Sequence, residues 1–236
     1  MRNFKKPFLF SAAMLPVIIP AVVLTAFYQM QLYPADIIAS AISQLGSKTA
    51  LIILSAVQGS LLVAVCCFFG YILADKTGLW IPLYIERDKL FKTIALATSA
   101  GLVFSLDYWT FGACEPLIQS SITGAGLSAA GFGAAVLYGG IVEKILMRLF
   151  LMSLIAFILW KLFFRSTPKN KLPDIIFISA NIISALLFAA GHLPATATAF
   201  GALTPMLLAR CFLLNGIFGL LFGRLYRRYW KQWESR

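Results

Sequence analysis

The chain has 236 residues, of which 60% are hydrophobic and 12% charged, and it carries a formal net charge of +11. Its mean hydropathy of +0.86 excludes an ordinary water-soluble domain. The Lys and Arg residues sit in short segments between apolar runs, as topology signals do, which argues against nucleic acid as a partner.

The first run, from Phe8 to about Tyr28, follows the basic residues Arg2, Lys5 and Lys6. It is too long for the apolar core of a secretory leader and lacks a small-x-small cleavage site, so it reads as an anchored span. Residues 35 to 47 place Ile37, Ile38, Ile42 and Leu45 near one helical face, and a short interfacial helix is expected there. Further runs long enough to cross the bilayer lie near 50–73, 93–112, 140–162, 174–192 and 205–225. Between them, residues 122 to 140 are rich in Gly and Ala, including Gly124, Gly126, Gly131 and Gly133. With the following span they exceed one simple crossing, so a break is expected near Gly139 and Gly140, the first part being re-entrant or packed on the outer side.

The expected fold is therefore all-α, a polytopic integral membrane helical bundle with six transmembrane helices. Arg2, Lys5, Lys6, Lys76, Arg87, Lys89, Lys92, Lys161, Arg165, Lys169, Lys171, Arg224, Arg227, Arg228, Lys231 and Arg236 fall on one side, and Lys48 on the other. The positive-inside rule puts both termini in the cytoplasm, and a bacterial cytoplasmic membrane is the expected location, with lipid as a partner.

Ionisable groups within spans cost about 2.5 to 3.5 kcal/mol each, and are functional candidates by default. They are Asp107, Glu143, Lys144, Arg148, His192 and Arg210, with Asn215 as a polar companion. Counted at about 1.5 Å per residue, all fall in the outer half of the bilayer. Asp107, beside Tyr108 and Trp109, also suits an interfacial belt, and His192, before Leu193 and Pro194, also suits a span end. Glu143 has a short side chain and two cations following it, which makes a boundary role harder to sustain. Cys66, Cys67, Cys114 and Cys211 form neither a disulfide framework nor a CxxC knuckle.

Three segments carry a resemblance. They are Gly139-Gly140-Ile141-Val142-Glu143-Lys144-Ile145-Leu146-Met147-Arg148, then Phe188-Ala189-Ala190-Gly191-His192, then Asn215 through Gly219 and Gly223 to Tyr226. In this order they resemble the type II CAAX prenyl endopeptidases and their bacteriocin-processing bacterial relatives, whose successive signatures are EExxxR, FxxxH and a final HxxxN or HxxxD. The resemblance spans residues 130 to 230, a membrane core following N-terminal spans and interfacial segments over 1–129. It implies a membrane-embedded endopeptidase in which Glu143 and His192 activate a water, with Arg148, Phe188, Asn215 and Asp107 in support and a peptide or protein as substrate. A divalent metal is often assumed for the family, but a single histidine and one carboxylate make a poor cage, so no cofactor is expected.

Two departures stand out. Lys144 occupies the place of the second glutamate, so an attractive i, i+4 pair with Arg148 becomes repulsive, and Asp107 is the substitute partner to test. In an α-helix Glu143 lies about 140° from Arg148. The family's last helix, with HxxxN or HxxxD, has no counterpart before Arg236, so impaired activity is expected. A non-catalytic bacteriocin-immunity or partner-binding protein of the same fold, and a small-molecule transporter, remain open. Asn215, Gly219 and Gly223 recur every four residues, as a packing seam does.

Overall fold

The computed structural model describes residues 4–80, 87–125 and 128–234. Arg2, Gly126 and Arg236 of the readings above lie outside them. Among the described residues there is no strand, and six helices are long and apolar enough to cross a membrane. The chain is an all-α, polytopic integral membrane protein, as its hydropathy requires.

The helices in order are α1 Lys5–Leu32, α2 Ala35–Leu45, α3 Lys48–Thr77, α4 Arg87–Ser105, α5 Phe111–Cys114, α6 Pro116–Ala125, α7 Ala129–Gly133, α8 Ser153–Phe163, α9 Asp174–Gly191, α10 Leu193–Phe200 and α11 Pro205–Glu234. Local chemistry sets several ends. The Ser47 hydroxyl accepts from the Ala50 N–H and opens α3, while Gly46 and Gly78, at φ of 82° and 76°, close α2 and α3 in the left-handed region open to glycine. The short helix expected before the second span is α2; none of its side chains is buried.

The segment between α7 and α8 departs from expectation. No break occurs at Gly139 and Gly140; the helix runs unbroken from Ala129 to Phe163 over 35 residues. It does so by widening its turns, with π-helical backbone over Ala134–Val142 and Ile145–Met152. A break inside hydrocarbon would strand backbone donors and acceptors, whereas i→i+5 bonding keeps them paired. The glycine pair thus eases a change of register in place of ending the helix.

The chain forms two compact units. The first comprises residues 1–80 and 127–184, the second 81–126 and 185–236. In the first unit α3 packs along α1 and along the π-helical rod and α8. Its core holds Ile18, Ala21, Val63, Cys67, Val142, Met152 and Ala156. The Ser11 hydroxyl donates to the Ala64 carbonyl at 2.7 Å, tying α1 to α3. At Gly70 an added Cβ would lie 3.1 Å from the Leu149 carbonyl carbon and oxygen. That close backbone approach is the small-residue packing that replaces the hydrophobic drive between helices in lipid. In the second unit α5 and α6 pack together, α11 meets α5 and α10, and Phe104 lies against Phe218 with ring centroids 5.4 Å apart. Outward faces carry Leu61, Phe69, Leu162 and Phe163, all exposed, as a lipid-facing surface requires.

Two glycines separate packing from intrinsic helix propensity. Gly70→Ala presses on backbone and should destabilise by about 1 to 3 kcal/mol, whereas Gly101→Ala, with nothing within 4 Å, should stabilise α4 by about 1 kcal/mol. Melting temperatures of the two variants in detergent should therefore move in opposite directions.

Candidate active site

Glu143 sits on the first unit's long helix between the two π-helical stretches. Its backbone N–H bonds to the Tyr138 carbonyl, five residues back. Side-chain contacts repeat the spacing: Lys144 Nζ donates to the Gly139 carbonyl at 3.1 Å, and Ser153 Oγ to the Arg148 carbonyl at 3.4 Å. In this register residues five apart occupy neighbouring turns. Tyr138, Glu143, Arg148 and Ser153 consequently form one polar strip along the helix. The α-helical estimate that set Glu143 and Arg148 about 140° apart does not hold here, because the backbone from Ile145 through Arg148 is π-helical.

The Glu143 side chain leans toward the N-terminus, as helical side chains do. Its Oε2 lies 3.9 Å from where a Gly139 Cβ would be. Lys144 is drawn to the carbonyl of the same glycine. Glu143 and Lys144 are half-buried, while Arg148 is only 4% exposed. Arg148 Nη1 donates to Asn181 Oδ1 of α9 at 3.2 Å. Asn181 is a residue that sequence reasoning missed. Its signal was the same as that of Asn215, an amide inside an apolar span.

Asp107 is not an exposed interfacial carboxylate; it is 4% exposed, on a tight turn over Leu106–Tyr108. Arg210 of α11 grips it: Nε lies 3.0 and 2.9 Å from the two carboxylate oxygens, and Nη2 lies 2.6 Å from Oδ2. Asp107, expected as the substitute partner of Arg148, is thus paired with Arg210. A bidentate guanidinium–carboxylate pair is the form in which two charges leave water at least cost. Nearby, Thr204 Oγ1 donates to Glu115 Oε2 at 3.4 Å, and Gln119 Nε2 donates to the Tyr108 carbonyl at 3.2 Å.

His192, half-buried, is the N-cap of α10 directly after α9. Its Nδ1 lies 2.8 Å from the Phe188 carbonyl oxygen. A carbonyl can only accept, so Nδ1 carries the proton and Nε2 of the neutral ring carries the lone pair. The Phe188 ring meets the imidazole in a T-shaped contact, centroids 4.5 Å apart. The FxxxH spacing therefore fixes both ring orientation and tautomer through one residue, Phe188. Asn215 Nδ2 turns back along α11 to the Cys211 carbonyl at 3.1 Å. Gly219, one turn further, packs on Ala185, whose Cβ lies 3.0 Å from where a glycine Cβ would be. Of the residues expected to form a packing seam, Gly219 thus lies against α9.

Among the described residues no three His, Cys, Asp or Glu side chains gather within either unit.

The Asp107–Arg210 pair gives a direct stability test. Asp107→Ala strands a guanidinium in an apolar setting and should destabilise by about 3 to 5 kcal/mol. Thermal unfolding in detergent should show the loss, while Leu106→Ala on the exposed neighbour should change little.

No curated protein and no solved structure matches the chain. A family does match: type II CAAX prenyl endopeptidase Rce1-like proteins, over residues 125–234. That region holds the polar strip of the long helix, the Phe188–His192 pair and the α11 seam. Over residues 125–234 the chain is thus similar to the Rce1-like type II CAAX prenyl endopeptidases.

Proposed function

We propose that the chain is a membrane-embedded endopeptidase that hydrolyses a peptide bond by a water activated between Glu143 and His192. The observation that carries this reading is the family match over 125–234, a region that includes Glu143 and His192. Glu143 takes a proton from the water as its oxygen attacks the scissile carbonyl carbon. The C–N bond then breaks as Glu143 passes that proton to the departing amine. His192, with Nδ1–H held on the Phe188 carbonyl, presents the Nε2 lone pair to the same water. Arg148, anchored on Asn181, supplies positive charge one π turn from Glu143. The substrate is a peptide or protein segment that reaches the hydrocarbon layer.

The first unit supports the orientation in which the basic ends face the cytoplasm. Lys76 and Lys161 both reach the Phe157 ring, at 5.0 and 5.7 Å, and Lys169 lies 3.9 Å from Asp75. These cations from three segments share one end of the unit, as a positive-inside arrangement needs.

One feature favours a second reading, a relative without catalysis that binds a partner. Lys144 replaces a family carboxylate, and its ammonium lies on the Gly139 carbonyl against the Glu143 turn. The two readings separate in a detergent assay on a fluorogenic peptide set. Under the first, Glu143→Gln and His192→Ala each lower the turnover rate by at least about a hundredfold, and Lys144→Glu raises it. Under the second, the wild type equals Glu143→Gln, and Lys144→Glu alone shows Glu143-dependent cleavage.

A further inference from the structure

The contacts that hold His192 do not end with Phe188. The helix before it closes with a bond from the His192 backbone N–H to the Ala189 carbonyl, at 3.1 Å. That same oxygen receives a second donor from the next span, Cys211 Sγ at 3.1 Å. Cys211 is 2% exposed and Ala189 fully buried, so no water competes for either group. Behind the thiol, Asn215 Nδ2 lies 3.6 Å from the same sulfur while also donating to the Cys211 carbonyl at 3.1 Å.

The direction of these bonds is fixed by their chemistry. The Ala189 carbonyl has no proton to give, so the thiol hydrogen points at it. The amide N–H of Asn215 meets the sulfur from its lone-pair side. Donor follows donor along Asn215, Cys211 and Ala189, and aligned bonds of this kind polarise one another. Adjacent carbonyls thus have adjacent duties: Phe188 holds the imidazole Nδ1–H, and Ala189 holds the His192 backbone together with the thiol.

We infer that Cys211, backed by Asn215, is a positioning residue that sets the end of α9 and thereby the tautomer and aim of the His192 ring. The last carbonyls of a helix lack the i+4 partner of its interior, and within its own segment the Ala189 carbonyl has only the short closing bond from the His192 N–H. Cys211 holds one of them from a neighbouring helix. Gly219 keeps that helix close, packed on Ala185 one turn before Ala189. Release of the Ala189 carbonyl lets the turn from Phe188 to His192 unwind, and the short Nδ1–H bond to Phe188 is lost with it. Nε2 then carries the proton in a large share of molecules, and those molecules cannot offer its lone pair. The inference deepens the reading of His192 as a catalytic group and rests on it only for its consequence in rate.

The chain's single histidine makes the test direct. With 15N-labelled histidine in the full-length protein in detergent micelles, nitrogen spectra report one ring and which nitrogen bears hydrogen. Wild type and Cys211→Ser, which keeps a donor, should show hydrogen on Nδ1. Cys211→Ala and Asn215→Ala should show a mixture with Nε2-protonated ring, the second to a smaller extent. In the peptide assay Cys211→Ala should lower kcat roughly ten- to a hundredfold with KM held, and Cys211→Ser should restore it. Unchanged nitrogen spectra in Cys211→Ala and Asn215→Ala overturn the inference whatever happens to the rate. Shifted spectra with unchanged turnover uphold the positioning and overturn the catalytic role of His192. Should Cys211→Ala not fold, Asn215→Ala alone decides, because it leaves the thiol in place.

Discussion

Most features of this protein follow from the absence of water around its spans. A polar group in hydrocarbon must find its partner within the protein or remain unpaid at a cost of several kcal/mol. The chain meets that demand locally. Lys144 uses a carbonyl of its own helix, Arg148 an amide on α9, Arg210 a carboxylate on the turn before α5, and His192 the carbonyl one turn back. Each solution restrains a side chain that would wander in water. Restraint of this kind is also what hydrolytic chemistry needs, because a general base must be aimed as well as basic.

The same demand explains why the long helix changes pitch where it does. Hydrocarbon forbids a gap in the ladder, and Gly139 and Gly140 make the backbone pliant. Widened turns satisfy both conditions and bring a tyrosine, a carboxylate, a guanidinium and a hydroxyl into one line. Pitch here is a chemical variable, since it decides which charges are neighbours. Glu143 and Arg148 are separated by the helical geometry most sequences would adopt and are brought to adjacent turns by the geometry this one adopts.

Much of the fold was legible because long apolar runs leave few alternatives. The spans from Lys5, Lys48, Asp174 and Pro205 start within a few residues of expectation, and α2 was readable from Ile37, Ile38, Ile42 and Leu45. The unbroken helix from Ala129 was not legible, since glycine-rich sequence permits both a break and a π turn and only tertiary packing selects between them. At the candidate site, residue types were legible but partners were not. Asp107 was read as interfacial because its neighbours Tyr108 and Trp109 suit a headgroup level; its tie to Arg210 joins positions 103 residues apart. Cys211 gave no signal, because a thiol in an apolar run looks like any small hydrophobe.

The two lysines over Phe157 set a vertical scale for the first unit. An ammonium seeks the headgroup layer while its stem stays in the oil, and Lys161 also lies 3.8 Å over the Trp160 ring. Lys76 and Lys161 thus act like the float line of a buoy, fixing the level of the helix that bears Phe157. From Phe157 back to Glu143 the rod rises at most about 21 Å, less where the turns are wide. In a hydrocarbon layer of about 30 Å, the carboxylate then lies at least about 9 Å beneath the far surface.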